Sequence, residues 1–133
     1  MTRYLLDTDI ISDLVRNPRG RAASHLSAVR NADICTSIIV AAELRFGILR
    51  RGSPRLTATV EMFLKSVDVL PFASPDDVAY ARIRLGLEAV GTIIGANDLL
   101  LAAQATARNM TLVSDNEREF SRVAGLKWEN WLR

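Results

Sequence analysis

The hydrophobic positions of the chain follow two alternating patterns. Short unbroken apolar runs predict buried strands at residues 3–6, 34–36, 67–70, 110–114 and 126–128. Between these runs, apolar residues recur at helical spacing and predict helices over residues 10–15, 20–30, 38–51, 56–65, 75–90 and 96–108, with a helical turn at 117–120. Strands separated by helices are typical of a parallel sheet covered on both faces. We therefore predict an α/β fold with a mainly parallel central sheet of about five short strands flanked by helices.

Polar residues and prolines mark where the helices begin. Thr8 can cap the first helix, and Ser37 can cap the long helix that ends before Gly52. The segment Ser74-Pro75-Asp76-Asp77 combines a cap, a proline in the first turn and acids near the positive end of the helix dipole. No repeat or linker divides the chain, so we expect residues 1–133 to form one domain.

The composition is that of an ordinary globular protein, with 49% hydrophobic and 24% charged residues. Cys35 is the only cysteine, which excludes a disulfide framework and is typical of a reducing compartment. No apolar stretch reaches the roughly 20 residues of a membrane helix. Asp7 interrupts the short apolar run at the N-terminus, which argues against a signal peptide. We expect a soluble, cytoplasmic protein with no membrane association.

The net charge of +2 understates how basic the chain is, because fifteen of its 17 basic residues are arginine. Arginine donates paired hydrogen bonds to phosphate through its planar fork, which favours contact with a nucleic-acid backbone. A solvated face, or a site for an acidic protein partner, explains the same charge. The candidate RNA contacts are Arg16, Arg19, Arg45 and Arg50.

Acids at the ends of core elements are the most informative polar residues. Asp7 follows the first strand, Glu43 interrupts an apolar helix face, and Asp98 lies in an otherwise apolar segment. Asp115 and Asn116 follow the fourth predicted strand. A carboxylate in apolar surroundings is costly unless an opposite charge compensates it. Salt bridges explain any one of these acids, whereas several acids at one edge of a parallel sheet indicate a divalent cation.

Carboxylate and water ligands suit Mg²⁺ or Mn²⁺, and the lack of a His/Cys cluster argues against zinc. His25 is the only histidine and lies on a predicted basic surface helix, so a catalytic role for it is not expected.

Five segments form a pattern that extends over essentially the whole chain. They are Tyr4-Leu5-Leu6-Asp7-Thr8-Asp9-Ile10-Ile11-Ser12, Ala41-Ala42-Glu43-Leu44-Arg45-Phe46-Gly47, Ile94-Gly95-Ala96-Asn97-Asp98, Leu112-Val113-Ser114-Asp115-Asn116-Glu117-Arg118-Glu119-Phe120 and Arg122-Val123-Ala124-Gly125-Leu126-Lys127-Trp128-Glu129-Asn130-Trp131. In this order they resemble the PIN-domain ribonucleases, specifically the VapC toxins of bacterial type II toxin–antitoxin pairs.

The resemblance implies that Asp7, Glu43 and Asp98 are the metal-site acids. A fourth family position follows the last core strand as Ser/Thr-x-Asp, and this chain has Asn116 there with Asp115 one residue earlier. Either residue could therefore complete the catalytic site, and the sequence leaves this open.

The hydroxyls of Thr8 and Ser114 are expected near this site, either supporting the acids or capping helices.

By resemblance, the chain is a Mg²⁺-dependent endoribonuclease, with Mn²⁺ as an alternative ion. Water activated by the cation, rather than a protein nucleophile, would attack the phosphodiester. Transfer RNA or another structured RNA is the implied substrate, although the residues select neither the RNA nor the cleavage position. Whether one or two ions bind is also open.

The resemblance also implies a cognate VapB-type antitoxin, operator DNA bound only through the antitoxin complex, and a homodimer in the bacterial cytoplasm. The apolar helices around residues 10–15 and 38–51 could form a groove for the antitoxin or be buried in the protein's own core. Trp128 and Trp131 could pack onto the core or lie in a subunit contact.

Two other functions are compatible with parts of the sequence. Asp7-Thr8-Asp9 has the spacing of a haloacid-dehalogenase-type phosphatase, but that family needs a phosphate-contacting lysine, and only Lys65 and Lys127 exist. A non-catalytic nucleic-acid-binding or interaction module with salt-bridged acids is the second alternative.

Overall fold

The computed structural model describes residues 2–133 and confirms the α/β fold class. The strands are β1 (Tyr4–Leu6), β2 (Ile34–Ser37), β3 (Asp68–Leu70), β4 (Thr111–Val113) and β5 (Trp128–Glu129). The α-helices are α1 (Thr8–Arg16), α2 (Arg21–Ser27), α3 (Ile38–Arg51), α4 (Pro54–Ser66), α5 (Asp76–Ala89), α6 (Ala96–Ala107) and α7 (Glu117–Phe120). No helix within residues 2–133 is both long and apolar enough to cross a membrane.

The five strands form one sheet in the order β3-β2-β1-β4-β5, and every pairing is parallel. β1 is the central strand, with Leu5 opposite both Cys35 and Leu112. All three side chains are fully buried in the core. Because all the strands run the same way, the residues that follow β1, β2 and β4 meet at one edge of the sheet, where ligand sites lie in open α/β folds.

The first helix begins two residues earlier than predicted, and its cap is different. Asp7, not Thr8, is the N-cap, because the Asp7 carboxylate accepts a hydrogen bond of 2.7 Å from the Thr8 backbone N–H. Thr8 is the first helical residue, which leaves its hydroxyl free for a contact outside the helix. The predicted Ser37 cap of α3 is confirmed by a hydrogen bond of 3.1 Å from the Ile39 N–H.

The predicted start of α5 is confirmed for its acids, since Asp76 and Asp77 lie in the first turn, and is wrong for its cap. Ser74 makes no cap, and the helix begins at Asp76. The Asp76 side chain is fully buried and pairs with Arg108 at 3.0 Å, while also accepting the Ala73 N–H. Asp76 therefore lies at the positive end of the helix dipole, as predicted, and also ties α5 to the end of α6.

The second helix is shorter than predicted, and Trp131 packs onto the core, one of the two alternatives for the tail. α2 stops at Ser27 rather than at residue 30. Trp131 is 1% exposed, stacks on His25 with ring centroids 5.5 Å apart and meets Tyr4 at 5.4 Å. The tail after β5 is therefore packed against both β1 and α2.

We expect Arg108→Met to destabilise the protein strongly, because it leaves the buried Asp76 carboxylate without its cation. Loss of one partner of a buried ion pair costs about 3–5 kcal/mol. Urea unfolding measures the free energy change. The control is Arg84→Met, which removes an exposed ion pair to Glu88 and should change stability little. Equal effects of the two variants would contradict the role of the buried pair.

Candidate functional site

A shallow pocket of about 450 Å³ lies at the carboxyl edge of the sheet. It is lined by Asp7, Thr8, Asp9, Glu43, Asp98, Asp115 and Asn116. The five residues predicted as catalytic thus lie together although they come from four separate parts of the chain. Ser114, predicted as a supporting hydroxyl, is fully buried and donates to Asp7.

Asp7 lies at the base of the pocket, directly after the central strand. Its backbone N–H continues the sheet by donating to the Val113 carbonyl at 2.9 Å, and its carboxylate accepts the Ser114 hydroxyl at 2.7 Å. Burial, and next the charge of Asp9, raise the pKa of Asp7 to about 6. Ionising this carboxyl near neutral pH therefore costs free energy unless a positive charge is nearby.

Glu43 projects from α3 and is held by two neutral donors. The Thr8 hydroxyl donates to one oxygen at 2.8 Å, and the Asn97 amide donates to the other at 3.3 Å. Asn97 was not predicted as a site residue, although it directly precedes Asp98 at the start of α6.

Asp98 forms a group with Asn116 and Glu119. The Asn116 amide donates to Asp98 at 2.8 Å and to Glu119 at 3.3 Å, and Glu119 also accepts the Gly95 N–H at 3.2 Å. Burial, then a hydrogen bond with Glu119 and then the charge of Asp7, raise the pKa of Asp98 to about 8. The same hydrogen bond lowers the pKa of Glu119. Asp98, which lines the pocket, thus has a second carboxyl group beside it.

The sequence interpretation did not identify Glu119. It lies three residues after Asn116, which precedes α7, and a Glu at this spacing is the sequence signature of a capping box. That signal would have placed Glu119 near Asn116, although here it accepts from the Asn116 side chain rather than its backbone.

Asp9 is a second residue that was not assigned to a ribonuclease site. One of its oxygens accepts the Asp115 N–H at 3.0 Å and lies 3.4 Å from the Ser114 hydroxyl. Its other oxygen, Oδ1, is buried and has no hydrogen-bond partner among the described residues. Burial is the largest cause of a raised pKa at Asp9.

The two candidates for the fourth family position face different neighbours. Asn116 points its amide at Asp98, inside the pocket. Asp115 accepts the Asn130 amide at 2.8 Å and lies 3.6 Å from the Arg133 guanidinium. The charge of Asp115 is therefore partly compensated by the C-terminal tail.

The salt-bridge alternative does not account for the three acids. Within residues 2–133, none of the carboxylates of Asp7, Glu43 and Asp98 forms an ion pair with an arginine or lysine. Neither Lys65 nor Lys127 lines the pocket, which removes the lysine that a phosphatase of the haloacid-dehalogenase type needs.

The donor chemistry of the pocket fits a hard divalent cation. Its side chains offer oxygen ligands, and Asp9 Oδ1 has no hydrogen-bond partner among the described residues. Burial first, and neighbouring acids after it, raise the pKa values of Asp7 and Asp98, so a cation would favour the ionised form of both. Across the described part of the chain, no three carboxylate, histidine or cysteine side chains are already gathered to hold a metal ion. The pocket therefore presents the ligand types without a closed coordination shell.

The predicted RNA-contact arginines lie outside this pocket. Arg16 and Arg50 line a neighbouring groove of about 440 Å³ between α1, α3 and α4, which shares Thr8 and Glu43 with the pocket. Arg45 instead pairs with Glu61 at 2.9 Å. Arg19 lies with Arg16 in a separate surface depression beyond α1. Their contact with RNA stays a prediction.

Comparisons with known proteins agree on one family. The PIN domain family matches residues 4–126 of this chain. Ribonuclease VapC2 of Rickettsia felis is 35% identical over 130 residues, which covers 96% of this chain and 97% of that protein. The tRNA(fMet)-specific endonuclease VapC of Shigella flexneri is 30% identical and covers 98% of this chain and 99% of its own length.

Solved structures show the same likeness. The crystal structure of VapBC2 from Rickettsia felis bound to a DNA fragment from their promoter superposes with a TM-score of 0.88 at 32% identity, covering 98% of this chain and 99% of that one.

We expect Asp98→Asn to stabilise the metal-free protein increasingly as the pH rises. The pKa of Asp98 is 3.8 before folding and about 8 in the folded chain, so folding retains a proton that the unfolded chain releases. The contribution of this carboxyl to stability is therefore complete below pH 3.8 and is lost as the pH rises to about 8. Urea unfolding in a chelator at several pH values measures the difference between variant and wild type.

The matched control is Asp77→Asn, which removes an exposed carboxyl group on α5, outside the pocket. A constant difference between Asp98→Asn and wild type across this pH range would show that folding does not raise the pKa of Asp98.

Proposed function

The chain belongs to the PIN-domain family, and from this we propose that it is a divalent-metal-dependent endoribonuclease, the toxin of a type II toxin–antitoxin pair whose RNA cleavage inhibits translation and growth. The pocket of acids at the carboxyl edge of the sheet is the observation that carries the proposal. Among residues 2–133, the carboxylates of Asp7, Glu43 and Asp98 form no ion pair, so they remain available to a cation.

Asp7, Glu43 and Asp98 would hold the cation, for which Mg²⁺ is proposed and Mn²⁺ is an alternative. When bound, such an ion supplies Lewis-acid stabilisation of the charge that develops on the phosphate and makes a nearby water more acidic. The Thr8 and Ser114 hydroxyls hold Glu43 and Asp7 in place. No cysteine or histidine lines the pocket, so a water rather than a side chain is the proposed nucleophile.

Asn116 and Glu119 together take the fourth position in this proposal. Asn116 is neutral and donates to Asp98, which fixes the orientation of that acid. Glu119 brings the negative charge that Asn116 lacks, and its pKa is lowered, so it is ionised when Asp98 still holds a proton. Asp115 contributes through its backbone and through the loop rather than as a ligand.

Structured RNA, such as transfer RNA, is the proposed substrate class. Arg16, Arg50 and Arg51 line the groove that opens from Thr8 and Glu43, where they can contact phosphates on either side of the cleaved bond. Mapping cleavage ends across total RNA after brief expression would identify the RNA and the position cut.

We propose the same groove as the binding site of a VapB-type antitoxin. Operator DNA would be bound only through the toxin–antitoxin complex. Apolar side chains from three helices line it, among them Val15, Leu44 and Ile48. The homodimer in the bacterial cytoplasm stays a prediction. A candidate surface for the dimer contact is formed by four exposed apolar residues around α5, namely Val78, Leu85, Val90 and Ile93.

We expect Asp7→Asn and Asp98→Asn each to reduce RNA cleavage by about 100-fold or more, because each removes a charge that holds the cation. Cleavage of RNA by purified protein is measured with Mg²⁺ or Mn²⁺, and after chelation. Chelation should abolish the wild-type activity, and added ion should restore it. Asp77→Asn is the control for loss of a surface charge. Undiminished cleavage by both site variants would overturn the proposal.

We expect Glu119→Gln to weaken Mn²⁺ binding and RNA cleavage by about 10- to 100-fold, the usual cost of losing a group that supports metal ligands. The amide keeps the shape of the side chain but removes its charge beside Asp98. Titration calorimetry and cleavage rates measure the two effects. Glu88→Gln, on the exposed face of α5, is the matched control. Unchanged Mn²⁺ affinity in Glu119→Gln would restrict Glu119 to a structural role.

A further inference from the structure

We propose that Asn130, in the tail after β5, is a positioning residue that holds the site-bearing loop of residues 114–116 in its working place. This inference rests on the proposed ribonuclease function for its effect on the reaction. Its physical basis, a set of hydrogen bonds between the tail and the loop, is independent of that function.

The Asn130 amide joins the tail to the loop through two short bonds. Its Nδ2 donates to Asp115 at 2.8 Å and to Glu117 at 2.8 Å. Both acceptors are carboxylates, and hydrogen bonds to charged groups are stronger than those between neutral groups. One neutral side chain thus donates to two acids from a single nitrogen.

The orientation of this amide is fixed by its other end. Asn130 Oδ1 accepts the Leu132 backbone N–H at 2.9 Å, a contact that only the oxygen can make. The amide nitrogen must therefore face Asp115 and Glu117. An aspartate at this position would keep the Leu132 contact but would set a third carboxylate against the other two.

The tail that carries Asn130 is itself anchored. Trp131 is buried between Tyr4 of β1 and His25 of α2, and its ring N–H donates to Glu129 at 3.0 Å. Asn130 thus directly precedes a residue that is packed into the core. Its hydrogen bonds to Asp115 and Glu117 therefore fix the loop relative to the core.

The loop in turn orients the acids of the pocket. Asp115 is held from both sides, by Asn130 at its carboxylate and by Asp9 at its backbone N–H. The residues on either side of it supply the Ser114 hydroxyl to Asp7 and the Asn116 amide to Asp98. Release of Asp115 would therefore displace donors to two proposed metal-site acids, although Asn130 itself lies outside the pocket lining.

The test compares Asn130→Ala and Asn130→Asp with wild type in three measurements. Hydrogen exchange of the Asp115 and Asn116 amides, followed by NMR, should become about tenfold faster, because the loop opens more easily without the Asn130 hydrogen bonds. A tenfold change corresponds to about 1.4 kcal/mol of local stability. Mn²⁺ binding by calorimetry should weaken. RNA cleavage should show a kcat lower by about 10- to 100-fold with little change in KM, since a displaced site loses rate rather than substrate contact.

Asn130→Asp should be worse than Asn130→Ala in all three measurements, because it adds repulsion to the loss of the bonds. The double variant Asp115→Asn with Asn130→Asp restores a donor and an acceptor at the same two positions, so its amide exchange should slow relative to Asn130→Asp. Arg133→Ala removes the exposed ion pair to Asp115, and Asn31→Ala removes an exposed amide elsewhere. Neither should change exchange or kcat appreciably.

Wild-type kcat in Asn130→Ala, or a lower kcat without faster exchange at Asp115 and Asn116, would overturn the proposal. So would equal behaviour of the alanine and aspartate variants. Failure of the wild-type protein to cleave RNA would contradict the proposed ribonuclease function rather than the role of Asn130. The exchange and Mn²⁺ measurements would then still decide whether Asn130 positions the loop.

Discussion

Negative charge concentrated at one edge of a parallel sheet is the constraint on which the rest of the site depends. Five parallel strands end on the same side, so Asp7 after β1 and the loop after β4 meet beside Glu43 of α3 and Asp98 of α6. Burial first, and the neighbouring negative charges after it, raise the pKa values of Asp7 and Asp98. A fold that brings these acids together must either neutralise them or reserve them for a cation.

Neutral donors separate the acids without neutralising them. Thr8 and Asn97 hold Glu43, Ser114 holds Asp7, and Asn116 holds Asp98. A hydroxyl or amide fixes a carboxylate in one orientation but leaves its charge in place. An arginine in the same position would hold the acid as firmly and would also compete with a metal ion for it. The choice of donor thus keeps the pocket both ordered and negative.

The sequence predicted the parts of this arrangement that depend on local pattern. The strand ends, the Ser37 cap and the acids at Asp7, Glu43 and Asp98 follow from runs of apolar residues interrupted by single polar ones. The role proposed for Asn130 could not be found this way, because it depends on a contact between the C-terminal tail and the loop after β4. Glu119 has a local signal in its capping-box spacing from Asn116, but its contact with the Gly95 N–H joins segments distant in the chain. The cap of α1 was misassigned for a related reason: Asp7 and Thr8 are both good caps, and the partner of Thr8 lies 35 residues away.

The basic residues of the chain and the acids of its pocket have different places in the proposed cleavage of RNA. A phosphodiester carries negative charge, so bare carboxylates repel it and arginines attract it. Arg16, Arg50 and Arg51 line the groove beside the pocket rather than the pocket itself. Arginines within the pocket would form ion pairs with the acids and would no longer be free to bind RNA phosphates. In the proposed function, arginines outside the pocket would hold the RNA backbone, while a cation held by the acids would stabilise charge at the phosphate to be cut.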